Sequence, residues 1–292
     1  MRARAAPGRG AGARAAGFLA APVGVLALLF VGPIAILLLM SFLRMSIAGS
    51  GGFTLDNYGA ILRDPLYLRI LARTGAIATV AMLAMLALSI PLGYVLAFRV
   101  GRLELPLLLA LVLSDELNPL IRIYSWRMLL GRNGLVNSAL LALGVIHRPI
   151  DALLFSSVAV VIVLSVSWVP YVAIPIYASM KAIDPNVLEA ARDLGAGFGT
   201  VLRRILLPLA APGIFVSLIL VYIPLFAEFA TPALVGGTSG YMIGNVIQEQ
   251  ILEVGNWGVG SAMSFLLLLL SGVLAAVSYR LSRLSRIEAV RA

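Results

Sequence analysis

Five apolar stretches without a charged residue dominate the sequence and limit what it can fold into. The longest have 25 residues and, as helices, reach about 37 Å, enough to cross a hydrocarbon core about 30 Å thick. Apolar residues make up 61% of the chain and charged residues only 12%, unlike a soluble domain. The sequence therefore predicts an all-α integral membrane protein with spans at residues 18–42, 74–98, 153–177, 214–227 (extending toward Val235) and 261–279.

A sixth span, within residues 103–130, is interrupted by polar residues. After an apolar run come Asp115, Glu116 and Asn118, and apolar sequence then resumes, so a re-entrant segment is the alternative to a full crossing. With six spans both termini share one side, which carries 14 of the 22 basic residues against six in the opposite loops. Because basic residues concentrate in cytoplasmic segments, we predict six transmembrane helices with the N- and C-termini in the cytoplasm.

The termini and the rare residue types define the remaining organisation. Residues 1–17 are predicted to be an unstructured basic cytoplasmic tail that serves as an orientation signal, and residues 282–292 a second basic cytoplasmic tail. Residues 18–68 would hold a retained first helix and an extracytoplasmic loop, and residues 69–281 the transmembrane core. With no cysteine and one histidine, we expect no metal site, no cofactor and no catalytic residue.

The segment 181–208 is the longest polar stretch predicted to lie in the cytoplasm. Asp184 followed by proline is typical of a helix start, and Gly195 of a helix end. A short capped helix between two spans has the form of a docking element for another protein. Its narrow apolar face is predicted to consist of Leu188, Ala191 and Leu194.

This segment resembles the EAA loop of binding-protein-dependent ABC importers. A Glu-Ala-Ala triplet, a glycine after three residues and Ile-x-Leu-Pro after nine more stand at the family's spacing. In the family this loop forms the coupling helix, which fits a groove on the cytoplasmic ATPase. The resemblance implies a type I ABC importer (MetI-like) permease fold; a connector that caps its own bundle is the alternative. It assigns ATPase coupling to Glu189, Ala190, Ala191, Gly195, Ile205, Leu207 and Pro208.

The chain lacks the nucleotide site that such transport requires. The sequence G-x-x-x-x-G-K-[ST] does not occur, and the only lysine, Lys181, is followed by alanine. ATP hydrolysis is therefore expected on another polypeptide, and this chain is not an enzyme.

The resemblance implies a cytoplasmic ABC ATPase dimer, a second permease subunit that is a paralogue, and an extracytoplasmic solute-binding protein. It also implies a multi-pass protein of the bacterial plasma (inner) membrane, with no nucleic-acid partner. A stand-alone secondary transporter is the alternative, but the two halves show no internal repeat.

Further segments resemble the spermidine/putrescine permeases of the PotB type. A polyamine is thus the implied solute, and ferric iron, phosphonate or opine-like solutes, whose permeases share much of the pattern, are the alternatives. One departure is the acidic sequence at residues 114–118, where such permeases usually carry uncharged residues. The segments that resemble the PotB type are Arg122–Trp126, Gly131–Asn137, Glu228–Gly237 and Asn256–Gly260. Phe53–Tyr58 resembles the segment that follows the first span in the wider importer family.

Acidic residues inside predicted spans are costly and mark a pathway or a partner by default. Asp115 lies about 18 Å and Glu228 about 21 Å into their spans, counted from the cytoplasmic side. We therefore predict that Asp115, Glu116 and Glu228 form a cation-selective lining of the substrate pathway. Two alternatives are open: Asp115 pairs with Arg122, seven residues later, or Asp115 and Glu116 already reach the outer headgroups.

Overall fold

The computed structural model describes residues 9–46, 49–116 and 118–291. The regular secondary structure of these residues is helical apart from one antiparallel hairpin, β1 (Leu43–Ser46) with β2 (Gly49–Phe53). The helices are α1 (Arg9–Ser41), α2 (Asp56–Arg63), α3 (Pro65–Phe98), α4 (Glu104–Leu113), α5 (Pro119–Leu130), α6 (Leu135–Ala142), α7 (Ser157–Ser167), α8 (Val169–Lys181), α9 (Pro185–Asp193), α10 (Phe198–Ala227), α11 (Ile243–Leu252) and α12 (Trp257–Arg291).

Four helices of the described part are long and apolar enough to cross a membrane. They are α1 from Pro22 onward, α3, α10 and α12 as far as Ser278. Helices α7 and α8 together form a fifth candidate, bent by 44° where they meet at Trp168. The five apolar stretches are thus confirmed as mainly helical. The helices of the second, fourth and fifth stretches extend beyond them, whereas α1 ends at Ser41 and α7 begins only at Ser157, four residues into the third stretch.

The sixth predicted span is divided into α4 and α5. At ten and twelve residues, these helices are about 15 and 18 Å long, and neither crosses a bilayer alone. Pro119 starts α5, and the Asn118 side chain caps it by accepting a hydrogen bond from the Leu120 amide at 2.9 Å. The local sequence therefore starts a new helix instead of continuing α4, so a full crossing requires both helices together.

The predicted unstructured tail is wrong for residues 9–17, because α1 already begins at Arg9. Alanine and arginine are strong helix formers, so they extend the apolar helix backward. Residues 1–8 lie outside the described residues. At the other end α12 continues to Arg291, so the second basic tail is helical.

The core is formed where α8 packs between α3 and α10, with α7 against α3. Small residues allow this close packing: a Cβ at Gly93 would lie 3.0 Å from the Ile176 side chain. A Cβ at Gly213 would overlap the carbonyl oxygen of Pro175. Outside this core, α1 packs on α12 and otherwise exposes its apolar residues.

The segment after the first helix is ordered by one buried asparagine. The Asn57 side chain donates hydrogen bonds to the carbonyl oxygens of Ser41 at 2.8 Å and Leu43 at 3.0 Å. Gly258 of α12 packs against the same place, since a Cβ there would lie 2.5 Å from the Leu43 carbonyl oxygen. The predicted extracytoplasmic loop is therefore a hairpin and a short helix fixed between α1 and α12.

Helix α10 runs from Phe198 to Ala227 and contains two wider, π-type turns. These turns cover Leu202–Leu206 and Leu218–Tyr222, and each ends two residues before a proline, Pro208 and Pro224. Proline lacks an amide donor and clashes with the preceding turn, and a wider turn accommodates both effects. The helix therefore continues past its prolines, from the region of α9 to the far end of the molecule.

Candidate functional site

Helix α9 lies between α8 and α10 and is closed at both ends by local signals. The Asp184 side chain accepts a hydrogen bond from the Asn186 amide at 3.0 Å, with Pro185 in the first helical position. At the other end Gly195 has φ +81°, and the Ala196 amide donates to the Ala191 carbonyl at 3.0 Å. This bond, from the second residue beyond the helix cap, is the Schellman arrangement that requires a left-handed residue, usually glycine. The predicted helix start and end are confirmed.

The predicted apolar face of α9 is wrong in one residue. Leu188 is buried in the core and Ala191 packs against it, but Leu194 is 89% exposed. The reason is that α9 ends at Asp193, so Leu194 occupies the cap and leaves the buried face. Val187, Ala190 and Leu194, spaced as i, i+3 and i+7, form an exposed surface, which we call the α9 outer face.

The predicted coupling residues occupy two adjoining elements. Glu189 and Ala190 are exposed on α9, and Gly195 forms its end. Ile205 and Leu207 are partly buried in the first turns of α10, where Pro208 is exposed. Because Leu188 of α9 and Leu206 of α10 are both buried in the core, the two elements are anchored to one body.

A cavity of about 660 Å³ opens where α4 and α5 meet. It brings together the three acidic residues predicted for the pathway, Asp115, Glu116 and Glu228. Together with Arg122, the formal charges of the lining sum to −2. Eleven further residues line it, and five of them, which the sequence did not identify as candidates for the pathway, carry polar or aromatic groups. They are Ser167, Trp168, Tyr171, Phe229 and Thr231.

Polar contacts at two levels join α4 and the residues just after it to α8, and they set the level of the cavity. At one end Lys181 Nζ lies 2.7 Å from Glu104 Oε2, and the Tyr177 hydroxyl donates to the same carboxylate. At the other end the Tyr171 hydroxyl donates to Asp115. Tyr171 and Lys181 lie ten residues apart on α8, so the cavity is about 15 Å from the level of Lys181, about half the thickness of a bilayer core.

Asp115 forms an ion pair with Arg122, one of the two alternatives left open by the sequence. Arg122 Nη1 lies 2.7 Å from Asp115 Oδ1, and both side chains are about one-fifth exposed, at 19% and 20%. The pair does not lie on one helix face: Arg122, in the first turns of α5, reaches back across the break to Asp115. It also donates to the Ser167 carbonyl at 3.3 Å.

Glu228 lies just beyond the end of α10, where the backbone becomes extended. Its Oε1 accepts a hydrogen bond from the Thr231 amide at 3.0 Å and so caps the turn that follows. Its carboxylate therefore has a local structural partner as well as a place in the cavity wall. Among the described residues, no group of three His, Cys, Asp or Glu side chains could hold a metal ion.

Comparisons with known proteins define the class to which this helical bundle belongs. A bacterial alginate ABC transporter, solved with an alginate pentasaccharide-bound periplasmic protein, contains a chain that superposes with a TM-score of 0.74. That match covers 92% of this chain and 95% of the other at 17% sequence identity, so it shows the fold. Residues 89–286 match the family model described as "binding-protein-dependent transport system inner membrane component", and the chain belongs to this family.

Two relatives are more similar in sequence. The spermidine/putrescine transport system permease protein PotB of Escherichia coli is 40% identical over 232 residues, which cover 80% of this chain and 84% of PotB. The spermidine/putrescine transport system permease protein PotC of Escherichia coli is 33% identical over 114 residues, which cover 39% of this chain and 43% of PotC. The chain is therefore a homologue of PotB and a multi-pass membrane permease component, whose family leaves ATP hydrolysis to a separate subunit.

Proposed function

We propose that this chain forms half of the translocation pathway of a polyamine importer, most specifically for spermidine or putrescine. The observation that carries the proposal is the cavity near half the depth of the bundle, where Asp115, Glu116 and Glu228 converge. A polyamine is a flexible multivalent cation, so carboxylates in a partly desolvated wall can replace its water. The similarity to PotB supports the same solute class.

The aromatic lining supports a cationic solute as well. Trp168 and Tyr171 lie with ring centroids 5.3 Å apart in the cavity wall beside Asp115. Aromatic faces attract ammonium groups, and their apolar area suits the methylene segments of a polyamine. The carboxylates would then select for positive charge, and the aromatic rings would contact the methylene segments between the ammonium groups.

The α9 outer face is the proposed contact with the ATPase. Its residues are small or apolar and protrude from a helix that is anchored in the core by Leu188. Exposed apolar residues grouped in this way are typical of a protein interface. In this proposal Glu189, Ala190, Ala191 and Gly195 form the coupling helix with its cap, while Ile205, Leu207 and Pro208 connect it to α10.

The proposed assembly has one further permease chain, two ATPases and a solute-binding protein on the outer side. A PotC-like paralogue fits as the second permease, because this chain resembles both PotB and PotC. Helix α4 supports a partner within the membrane: all its residues stay at least partly exposed. We place the protein in the bacterial inner membrane with α4 and α5 completing a sixth crossing and both termini in the cytoplasm, following the distribution of basic residues.

The test is ATP-driven uptake of labelled spermidine and putrescine into vesicles that carry this chain, its ATPase, the second permease and the binding protein. Uptake that unlabelled polyamine competes away would support the proposal. A complex that assembles and hydrolyses ATP when presented with loaded binding protein, but imports no polyamine, would refute the solute. Iron, phosphonate and opine-like solutes would then be tested in the same vesicles.

A further inference from the structure

Arg122 is the cation of the cavity, and its position is fixed by several contacts. Its Nη1 donates to Asp115 Oδ1 at 2.7 Å and to the Ser167 carbonyl at 3.3 Å. Its Nη2 donates to the backbone carbonyl of Asp115 at 3.3 Å. Contacts to a carboxylate and to two carbonyls hold the guanidinium against the wall, at the break between α4 and α5.

The consequence for Asp115 is that its carboxylate is already satisfied when no solute is bound. One oxygen accepts from Arg122 and the other from the Tyr171 hydroxyl. An ammonium group that enters the cavity can bind this carboxylate fully only if the guanidinium moves away. After such a movement Arg122 would keep its contacts to the carbonyl oxygens of Ser167 and Asp115. The guanidinium would therefore stay at the cavity wall and could return to the Asp115 carboxylate.

We propose that Arg122 is a tethered counter-cation: it occupies the Asp115 carboxylate in the empty cavity and is displaced by an ammonium group of the solute. This inference rests on the proposed transport of a polyamine and assigns a specificity-determining role to a residue outside the acidic set. Binding then exchanges one ion pair for another, so the net free energy of binding is the difference between the free energies of the two ion pairs.

Such an exchange serves transport because a pathway site must bind its solute weakly enough to release it. A bare carboxylate in a half-buried wall would hold a multivalent cation tightly, since desolvated charge pairs are screened less than exposed ones. The returning guanidinium would instead compete with the bound ammonium group and speed its departure. Arg122 would therefore raise KM and raise kcat together.

The experiment compares labelled putrescine uptake in vesicles with the complete importer carrying wild-type chain, Arg122→Gln or Arg122→Lys. Arg122→Gln is expected to lower KM about tenfold, the effect of losing about 1.4 kcal/mol of competition, and to lower kcat. Arg122→Lys keeps a competing cation and is expected to stay near the wild-type KM. Arg127→Gln is the matched control, on the same helix but directed at the Phe155 ring 5.3 Å away, and should leave KM unchanged.

Each outcome decides between explanations. If Arg122 only holds the α4–α5 break in place, Arg122→Gln will lower kcat without lowering KM, and Arg122→Lys will not restore it; that result overturns the inference. In the background Asp115→Asn, Arg122→Gln should no longer lower KM, because the contested carboxylate is gone; an undiminished effect also overturns it. Absence of putrescine and spermidine uptake in the wild type would instead refute the proposed function. Copurification with the ATPase confirms that each variant assembles.

Discussion

Replacing Gly195 tests whether the closed end of α9 is needed for coupling. The residue has φ +81°, yet an added Cβ would meet no atom within 4 Å. The penalty for Gly195→Ala is therefore conformational: about 1–2 kcal/mol for an L-residue in the left-handed region. That energy reduces the population of the closed end about fivefold to thirtyfold. We expect this variant to assemble but to import less solute per ATP hydrolysed.

Three further variants separate conformation from charge. Gly199→Ala is the conformational control, because Gly199 is also open within 4 Å but lies in a helix with an ordinary φ. Asn and Asp tolerate the left-handed region better than Ala and have nearly the same shape. Gly195→Asn should therefore couple nearly as the wild type does. Gly195→Asp should uncouple, because it places a charge beside the exposed Leu194.

The assay is reconstitution of the importer, with solute uptake and ATP hydrolysis measured in the same vesicles. Assembly is followed by copurification of the ATPase. If Gly195→Ala keeps the wild-type ratio of uptake to hydrolysis, the closed end of α9 is not what couples the two. If Gly195→Asp and Gly195→Asn behave alike, an uncharged α9 outer face is not required for docking.

Three other substitutions address docking, the pathway and packing. Leu194→Ser should weaken copurification of the ATPase about tenfold, since about 1–2 kcal/mol of apolar contact would be lost, with little change in thermal stability. Glu228→Gln combined with Asp115→Asn should slow polyamine uptake without loss of assembly, because the cavity then loses two of its three negative charges. Gly213→Ala should lower the melting temperature, since its Cβ overlaps the Pro175 carbonyl, whereas Gly272→Ala on an open face should not.

Each of these expectations has a clear contrary result. Unchanged ATPase affinity of Leu194→Ser would move the docking surface elsewhere. Unchanged uptake of a cation by the double variant would remove the acids from the pathway. Equal melting temperatures for Gly213→Ala and Gly272→Ala would contradict the close packing of α8 on α10.

Much of α9 could be predicted because its signals are local. A cap residue followed by proline starts a helix and a glycine ends it through interactions within a few residues, so Asp184 and Gly195 were identified correctly. The apolar face depended on where the last turn stops. Leu194 lies one residue past the helix and turns outward, a difference that periodicity alone does not resolve.

The cavity was only partly predictable because its wall comes from three separate regions. Acidic residues that interrupt or directly follow apolar sequence drew attention to Asp115 and Glu228, since such residues are costly in a membrane. Their convergence depends on packing between α4, α8 and α10, which a single sequence does not reveal. Tyr171 and Ser167, which complete the surroundings of Arg122 and Asp115, look like ordinary residues of an apolar span until the fold is known.

The continuity of α10 gives the molecule a long lever arm. Thirty helical residues make a rod about 45 Å long, with the α9 region at one end and Glu228 just beyond the other. A rotation of only about 5° at the α9 end would shift the distal end by about 4 Å. Glu228 follows α10 directly, whereas Asp115 and Arg122 lie at the break between α4 and α5. Such a rotation would therefore move Glu228 relative to this ion pair by more than the 2.7 Å between its two charged groups.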